Sequence, residues 1–110
     1  MILLNTLTDI ILVKSFINNN KLSLILIKAK NCGVCDAVLV KLEQLVQKYP
    51  KIKSSIVSIE QVPEVSGNYL VFTAPTVLFF VEGKEVLRES RFIRFNELEN
   101  VLKRWCDEFC

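Results

Sequence analysis

Hydrophobic positions along this chain follow two rhythms, and the places where one gives way to the other outline its elements. Leu22-Ser23-Leu24-Ile25-Leu26-Ile27 is apolar at nearly every position, the pattern of a strand buried on both faces of a sheet. From Cys35 the rhythm becomes helical. Val38, Leu39, Leu42, Leu45, Val46 and Tyr49 recur every three or four residues, Asp36, Glu43, Gln44, Gln47 and Lys48 occupy the other faces, and Pro50 ends the run. A strand therefore feeds a helix, and that strand is expected to be central.

Ahead of it, residues 1–4 form a short apolar segment predicted as a first strand. Thr6, with Asp9 three positions on, offers a capping-box-like start for a helix reaching about residue 18, with Leu7, Ile10, Ile11 and Ile17 turned inward. Asn18-Asn19-Asn20 is a polar break. Downstream, residues 54–59 predict a third strand and 63–69 a short helical or irregular connection. Residues 77–81 and 85–90 flank Glu82-Gly83-Lys84 and read as a hairpin. Asn96, with Glu99 three residues later, signals a last helix whose inward face is Leu98, Val101, Leu102 and Trp105. Phe72, Phe79, Phe80, Phe92, Phe95 and Trp105 read as core and near-core aromatics. A strand, a helix and another strand in one sheet imply a right-handed crossover, so the class is α/β with helices flanking a central mixed sheet.

Composition narrows the function classes more than the fold. At 110 residues, 51% hydrophobic and 24% charged, the chain has the size and apolar content of one domain with a real core, and no repeat or linker divides it. A net charge of +2 with scattered Lys and Arg excludes a nucleic-acid surface on electrostatic grounds. The first nine residues lack a basic n-region and carry an early acid, and the apolar runs fall short of a membrane span. The expectation is a cytoplasmic protein with no membrane and no nucleic-acid partner.

Four cysteines are too few for a disulfide-dense scaffold, which leaves chemistry or metal binding. Cys32 and Cys35, two residues apart, fall at the junction of strand and helix, Cys32 at the cap and Cys35 at the head of the buried stripe. Unpaired N–H groups at a helix N-terminus carry about half a positive elementary charge and stabilise a thiolate placed there. The chain has no histidine to do this instead. With Cys32 as N-cap, its sulfur can accept from the Val34 and Cys35 N–H groups. Lys28, Lys30 and Asp36 read as a solvated rim, Asn31 equally as a loop residue or as a local turn bond, and Glu60 as a strand-end surface carboxylate, a place close to the site being its alternative. Taken alone, the pair could still be inert thiols or part of a zinc knuckle, and Pro75 a turn proline.

Cys32-Gly33-Val34-Cys35 on that junction, followed by Ala74-Pro75-Thr76 before an apolar strand, resembles the thioredoxin family over essentially the whole chain. The resemblance implies a thioredoxin-like fold over residues 1–110 and thiol–disulfide oxidoreductase activity, reducing protein disulfides. It further implies Cys32 as nucleophile and Cys35 as resolving thiol, linked in a redox-active disulfide, with Gly33 and Val34 completing the active-site turn. Pro75 would be cis, and Ala74, Pro75 and Thr76 would bind an extended substrate segment by strand addition. No cofactor and no metal is implied. The partners would be disulfide-containing proteins and, as electron donor, a reductase or a low-molecular-weight thiol, with the protein itself a monomer. Family members usually carry Trp, Pro, a buried Asp and a helix Pro where this chain has Asn31, Val34, Leu26 and Val40. Val34, which keeps its N–H, is expected to favour the Cys32 thiolate and make the disulfide more oxidising than in thioredoxin.

The alternative from the same residues is a client- or partner-binding module whose dithiol senses redox state with little turnover. Cys106 and Cys110, four apart on one face of the last helix, read as one packing thiol and one exposed thiol. A second redox pair, or a four-thiolate zinc site with Cys32 and Cys35, is the competing reading.

Overall fold

The structure, a computed structural model, describes residues 4–110. Five strands and four helices alternate: β1 (Asn5–Thr6), α1 (Ile10–Asn19), β2 (Leu22–Lys28), α2 (Gly33–Val46), β3 (Lys53–Ser58), α3 (Glu64–Tyr69), β4 (Thr76–Val81), β5 (Lys84–Ser90) and α4 (Phe95–Phe109). The sheet order is β1-β3-β2-β4-β5. β2 is central, parallel to β3 and antiparallel to β4, with Leu26 opposite Ile56 on one side and Val77 on the other. This is the α/β mixed sheet that the apolar pattern predicts.

Alternation along the strands divides the core between the two faces of the sheet. Leu22, Leu24 and Leu26 join Ile56, Val77 and Phe79 on one face, covered by Val38, Leu42 and Leu45 of α2 and Leu98 and Leu102 of α4. Ile25 and Ile27 join Val57, Leu78 and Phe80 on the other, covered by Val13 and Ile17 of α1 and Val65 of α3. Ser23, fully buried on that second face, uses its hydroxyl to donate to the Phe16 and Asn20 carbonyls at 3.4 Å. Each large apolar side chain so enclosed contributes about 1.5–3 kcal/mol. No helix among the described residues is long and apolar enough to cross a membrane.

The helix starts differ from those expected. Of the predicted strand over residues 1–4, only Leu4 lies within the described residues, and the strand seen begins one residue later. Asp9, not Thr6, caps α1, its carboxylate accepting the Leu12 N–H at 2.9 Å. The helix phase set from Ile10 turns Ile10, Val13 and Ile17 inward and leaves Ile11 72% exposed. Asn96 does not cap α4 either. Glu99, the other half of the expected capping box, instead accepts from Tyr49 Oη at 2.9 Å and Lys48 Nζ at 3.3 Å, which joins α4 to the residues following α2. Phe72 and Phe92, expected near the core, are 70% and 86% exposed.

The start of α4 is held by a buried carboxylate. Glu89 Oε1 accepts from the backbone N–H and Nε of Arg94, both at 3.0 Å, and Oε2 accepts from Nη2 at 2.8 Å. Hydrogen bonding from the Arg94 side chain holds the Glu89 carboxyl below the ordinary carboxylate range, against the upward push of burial. A folded pKa below the unfolded one stabilises the fold above the unfolded pKa, about 4.3, and that contribution is lost as pH falls through the folded value. Glu89→Gln is expected to lower stability by about 1–2 kcal/mol at neutral pH, the exposed Arg94 side keeping the figure modest. Urea midpoints measured from pH 7 down to acid should converge for the two proteins as Glu89 protonates.

Candidate functional site

β2 ends at Lys28, and three residues, Ala29, Lys30 and Asn31, carry the chain to Cys32 at the head of α2. Asn31 lies in the left-handed region at φ 54°, a conformation that asparagine tolerates better than most residues, and Cys32 returns to extended backbone at φ −111°. Cys32 is the N-cap. Its carbonyl accepts the Asp36 N–H at 3.2 Å and its Sγ accepts the Cys35 N–H at 3.1 Å. The Val34 N–H, expected as a second donor, makes no bond to that sulfur. Cys32 and Cys35 are joined in a disulfide, Cys32 half-buried and Cys35 only 1% exposed. An approaching group therefore meets Cys32 first.

The loop ahead of Cys32 is fastened from β3. Glu60 Oε1 accepts the Lys30 N–H at 3.1 Å and the Ser58 hydroxyl at 3.1 Å. Desolvation pushes the Glu60 carboxyl up, but the N–H groups of Lys30 and of Glu60 itself, with the Ser58 hydroxyl, hold it below the ordinary carboxylate range. Glu60 is exposed, as its strand-end position suggests, and also lies beside the Cys32 loop; the partner it finds there is thirty residues away in the chain, so local pattern does not name it. A cavity of about 370 Å³ opens beside Cys32, bounded by Lys28, Asn31, Asp36, Ile56, Ser58 and others.

Pro75 reaches the same end of the sheet. The next residue, Thr76, pairs with Ile27 across β4 and β2, and the Ala74–Pro75 peptide is cis. Pro75 and Thr76 are buried, Ala74 half-buried. Thr76 Oγ1 donates to the Thr73 carbonyl at 2.7 Å, and the Arg91 N–H donates to the Pro75 carbonyl at 2.8 Å. Arg91 itself is left-handed at φ 64°, and Phe92 follows it outward. Phe92, Ile93 and Phe95 face Val34, Ala37 and Val38 across a groove of about 240 Å³, with Val34 57% exposed. Gly33, at the first helical position, has open space around it. Leu26 is fully buried beneath this end and supplies no carboxyl.

Cys106 and Cys110 are not the free thiols of the simpler reading. They form a second disulfide, at the end of α4, with Cys106 half-buried and Cys110 exposed. With each sulfur bonded within its own pair, the four do not converge on one zinc ion.

Against this geometry, the sequence matches the thioredoxin family model over residues 8–104. It is similar to the thioredoxin-like protein YdfQ of Bacillus subtilis, with 41% identity over 98 residues, which cover 89% of this chain and 88% of that protein. Among solved structures it is similar to Fasciola hepatica thioredoxin, with a TM-score of 0.82 and 29% identity, covering 92% of this chain and 98% of that one. It is also similar to a thioredoxin-like protein from Bacillus cereus, with a TM-score of 0.69 and 35% identity, covering 84% of this chain and 98% of that one.

Because the Cys32 sulfur takes its N–H from Cys35 and not from Val34, proline at 34 leaves that donor in place. Val34→Pro is expected to move the Cys32 thiol pKa, read by thiolate absorbance, by less than about one unit, the worth of a charge-assisted hydrogen bond. A larger rise would mean that Val34 donates once the disulfide opens.

Proposed function

The chain belongs to the thioredoxin family, and from that premise we propose that it reduces protein disulfides through Cys32 and Cys35 in a cytoplasmic setting. A thioredoxin-type fold with a Cys-x-x-Cys disulfide supports thiol–disulfide oxidoreductase activity in general. The observation that carries the finer reading is the Cys32 sulfur at the N-cap of α2, accepting the Cys35 N–H with Cys35 shielded behind it.

In the reduced protein the positive end of α2 favours the Cys32 thiolate. That thiolate attacks one sulfur of a substrate disulfide. A Cys32–substrate bond forms, the substrate bond breaks, and the departing sulfur takes the electron pair and a proton. Cys35 then loses its proton and attacks Cys32 Sγ, closing Cys32–Cys35 and releasing the second substrate thiol. Two electrons move in all. A reductase or small thiol restores the dithiol. Ala74 offers backbone for strand addition by an extended substrate segment, with Pro75 and Thr76 fixing its position, and the protein works as a monomer. Leu26 provides no base, which leaves the Cys35 proton to water or to another side chain, and resolution is the step most sensitive to pH.

The exposed apolar side chains of Val34 and Phe92 beside the site favour a second reading, a module that holds a client while its dithiol senses oxidation. Turnover separates the two. With a model protein disulfide and a thiol reductant, Cys32→Ser is expected to fall to the uncatalysed rate, and stoichiometric oxidation of the wild type without turnover would favour the module. Cys35→Ser is expected to accumulate mixed disulfides at Cys32, identified by mass spectrometry. In the wild type, resolution should quicken as pH rises toward the ordinary thiol pKa of about 8.5. Failure to trap any mixed disulfide would remove Cys35 from the resolving role.

A further inference from the structure

The reading above uses one disulfide and leaves the other idle. We propose that Cys106–Cys110 is a second redox couple, of lower potential than Cys32–Cys35, which dithiols open by attack on the exposed Cys110 sulfur.

The two pairs lie at opposite ends of the central strand. Lys21, immediately before β2, places its ammonium 5.1 Å from the centroid of the Phe109 ring, whereas Cys32 follows the far end of that strand. A seven-residue strand spans roughly 20 Å. Sulfurs of the two pairs therefore do not meet within one chain, and each exchanges with a separate molecule.

Helix polarity orders the couples. Cys32 sits at the amide end of α2, where a thiolate is stabilised. Cys106 and Cys110 sit at the carbonyl end of α4, which carries about half a negative charge. The last turn of α4 contributes no basic residue of its own, Asp107 and Glu108 lie between the cysteines, and the cation placed against this turn, Lys21, sits over the Phe109 ring. A reduced form that gains no thiolate stabilisation gives a lower potential. The reduced Cys106/Cys110 pair is accordingly an electron donor toward the Cys32–Cys35 disulfide of a second copy.

Exposure assigns the point of attack. Cys110 is exposed, while Cys106 packs with Trp105 and Phe109 against the core formed with α2. An incoming dithiol forms a bond to Cys110 Sγ as one of its thiols gives up a proton. The Cys106–Cys110 bond breaks, with its electron pair passing to Cys106 Sγ, which takes a proton. The second thiol of the reductant then closes its own disulfide and releases Cys110, so that two electrons have entered the pair. Trp105, the single tryptophan, adjoins Cys106 and stacks on Phe109 at 6.0 Å, so its emission reports this couple rather than the one at α2.

The test equilibrates the full-length double variants Cys32→Ser/Cys35→Ser and Cys106→Ser/Cys110→Ser in a shared dithiothreitol redox buffer, with the thiols then alkylated and the peptides counted by mass spectrometry. The expected ratio of dithiol to disulfide is at least about tenfold lower for Cys106/Cys110 than for Cys32/Cys35, a gap of roughly 30 mV. In the wild type, Trp105 emission should rise only with the later of two transitions. Peptide-resolved labelling of the wild type gives the same ordering should either variant fail to fold. Equal or reversed ratios, a Cys106–Cys110 disulfide that never opens across the buffer range, or free thiols in the oxidised protein would each overturn the proposal. Each pair is counted on its own peptides, so such a failure stays distinct from a failure of the Cys32/Cys35 reading, which is decided by turnover.

Discussion

Leu24 and Ile25 are neighbours on β2, and they bury their side chains on opposite faces of the sheet. That double burial is the constraint on which the rest of the molecule depends. A strand enclosed on both faces has to be paired on both edges, which β3 and β4 do, and covered above and below, which two pairs of helices do. Once β2 is fixed, its continuation is fixed too. The residues after Lys28 must emerge at one end of the sheet, and the turn into α2 is where Cys32 lies.

The chemistry of the two disulfides then follows from where each meets a helix. At the start of α2 the backbone has N–H groups to offer, and one of them, from Cys35, already points at the Cys32 sulfur. At the end of α4 it has only carbonyls, and Asp107 and Glu108 lie between the two cysteines. The same residue type is thus set in opposite fields by the direction of the helix that carries it. No histidine, metal or cofactor is needed for this contrast.

Loops supply the remainder of the site, each tied down by contacts remote in sequence. Glu60 holds the Lys30 amide, and Arg91 gives its N–H to Pro75. Arg88 donates to the Tyr69 and Leu70 carbonyls, steadying a left-handed Leu70 just ahead of the Pro75 loop. Three separate segments are thereby fixed toward the same end of the sheet as Cys32.

The sequence alone carried the central strand, the helical stripe from Val38 to Val46, though not its extension to Tyr49, the hairpin around Gly83, which adopts φ 83°, and the placing of Cys32 at a cap. Those features depend on residues within about one helical turn, or one strand pleat, of each other, so their pattern is legible in order along the chain. Tertiary structure decided what local signals left degenerate. Thr6 and Asp9 both looked like part of a cap, and the phase of α1 chose Asp9. Asn96 had a capping signal, but Glu99 bonded to Tyr49 and buried Glu89 took the Arg94 amide. Phe92 and Phe79 have identical side chains, yet one faces water and the other lies wholly inside. Glu60 at the Cys32 loop depends, like these, on which distant segments the folded sheet brings together, and a hydrophobic pattern holds no record of that.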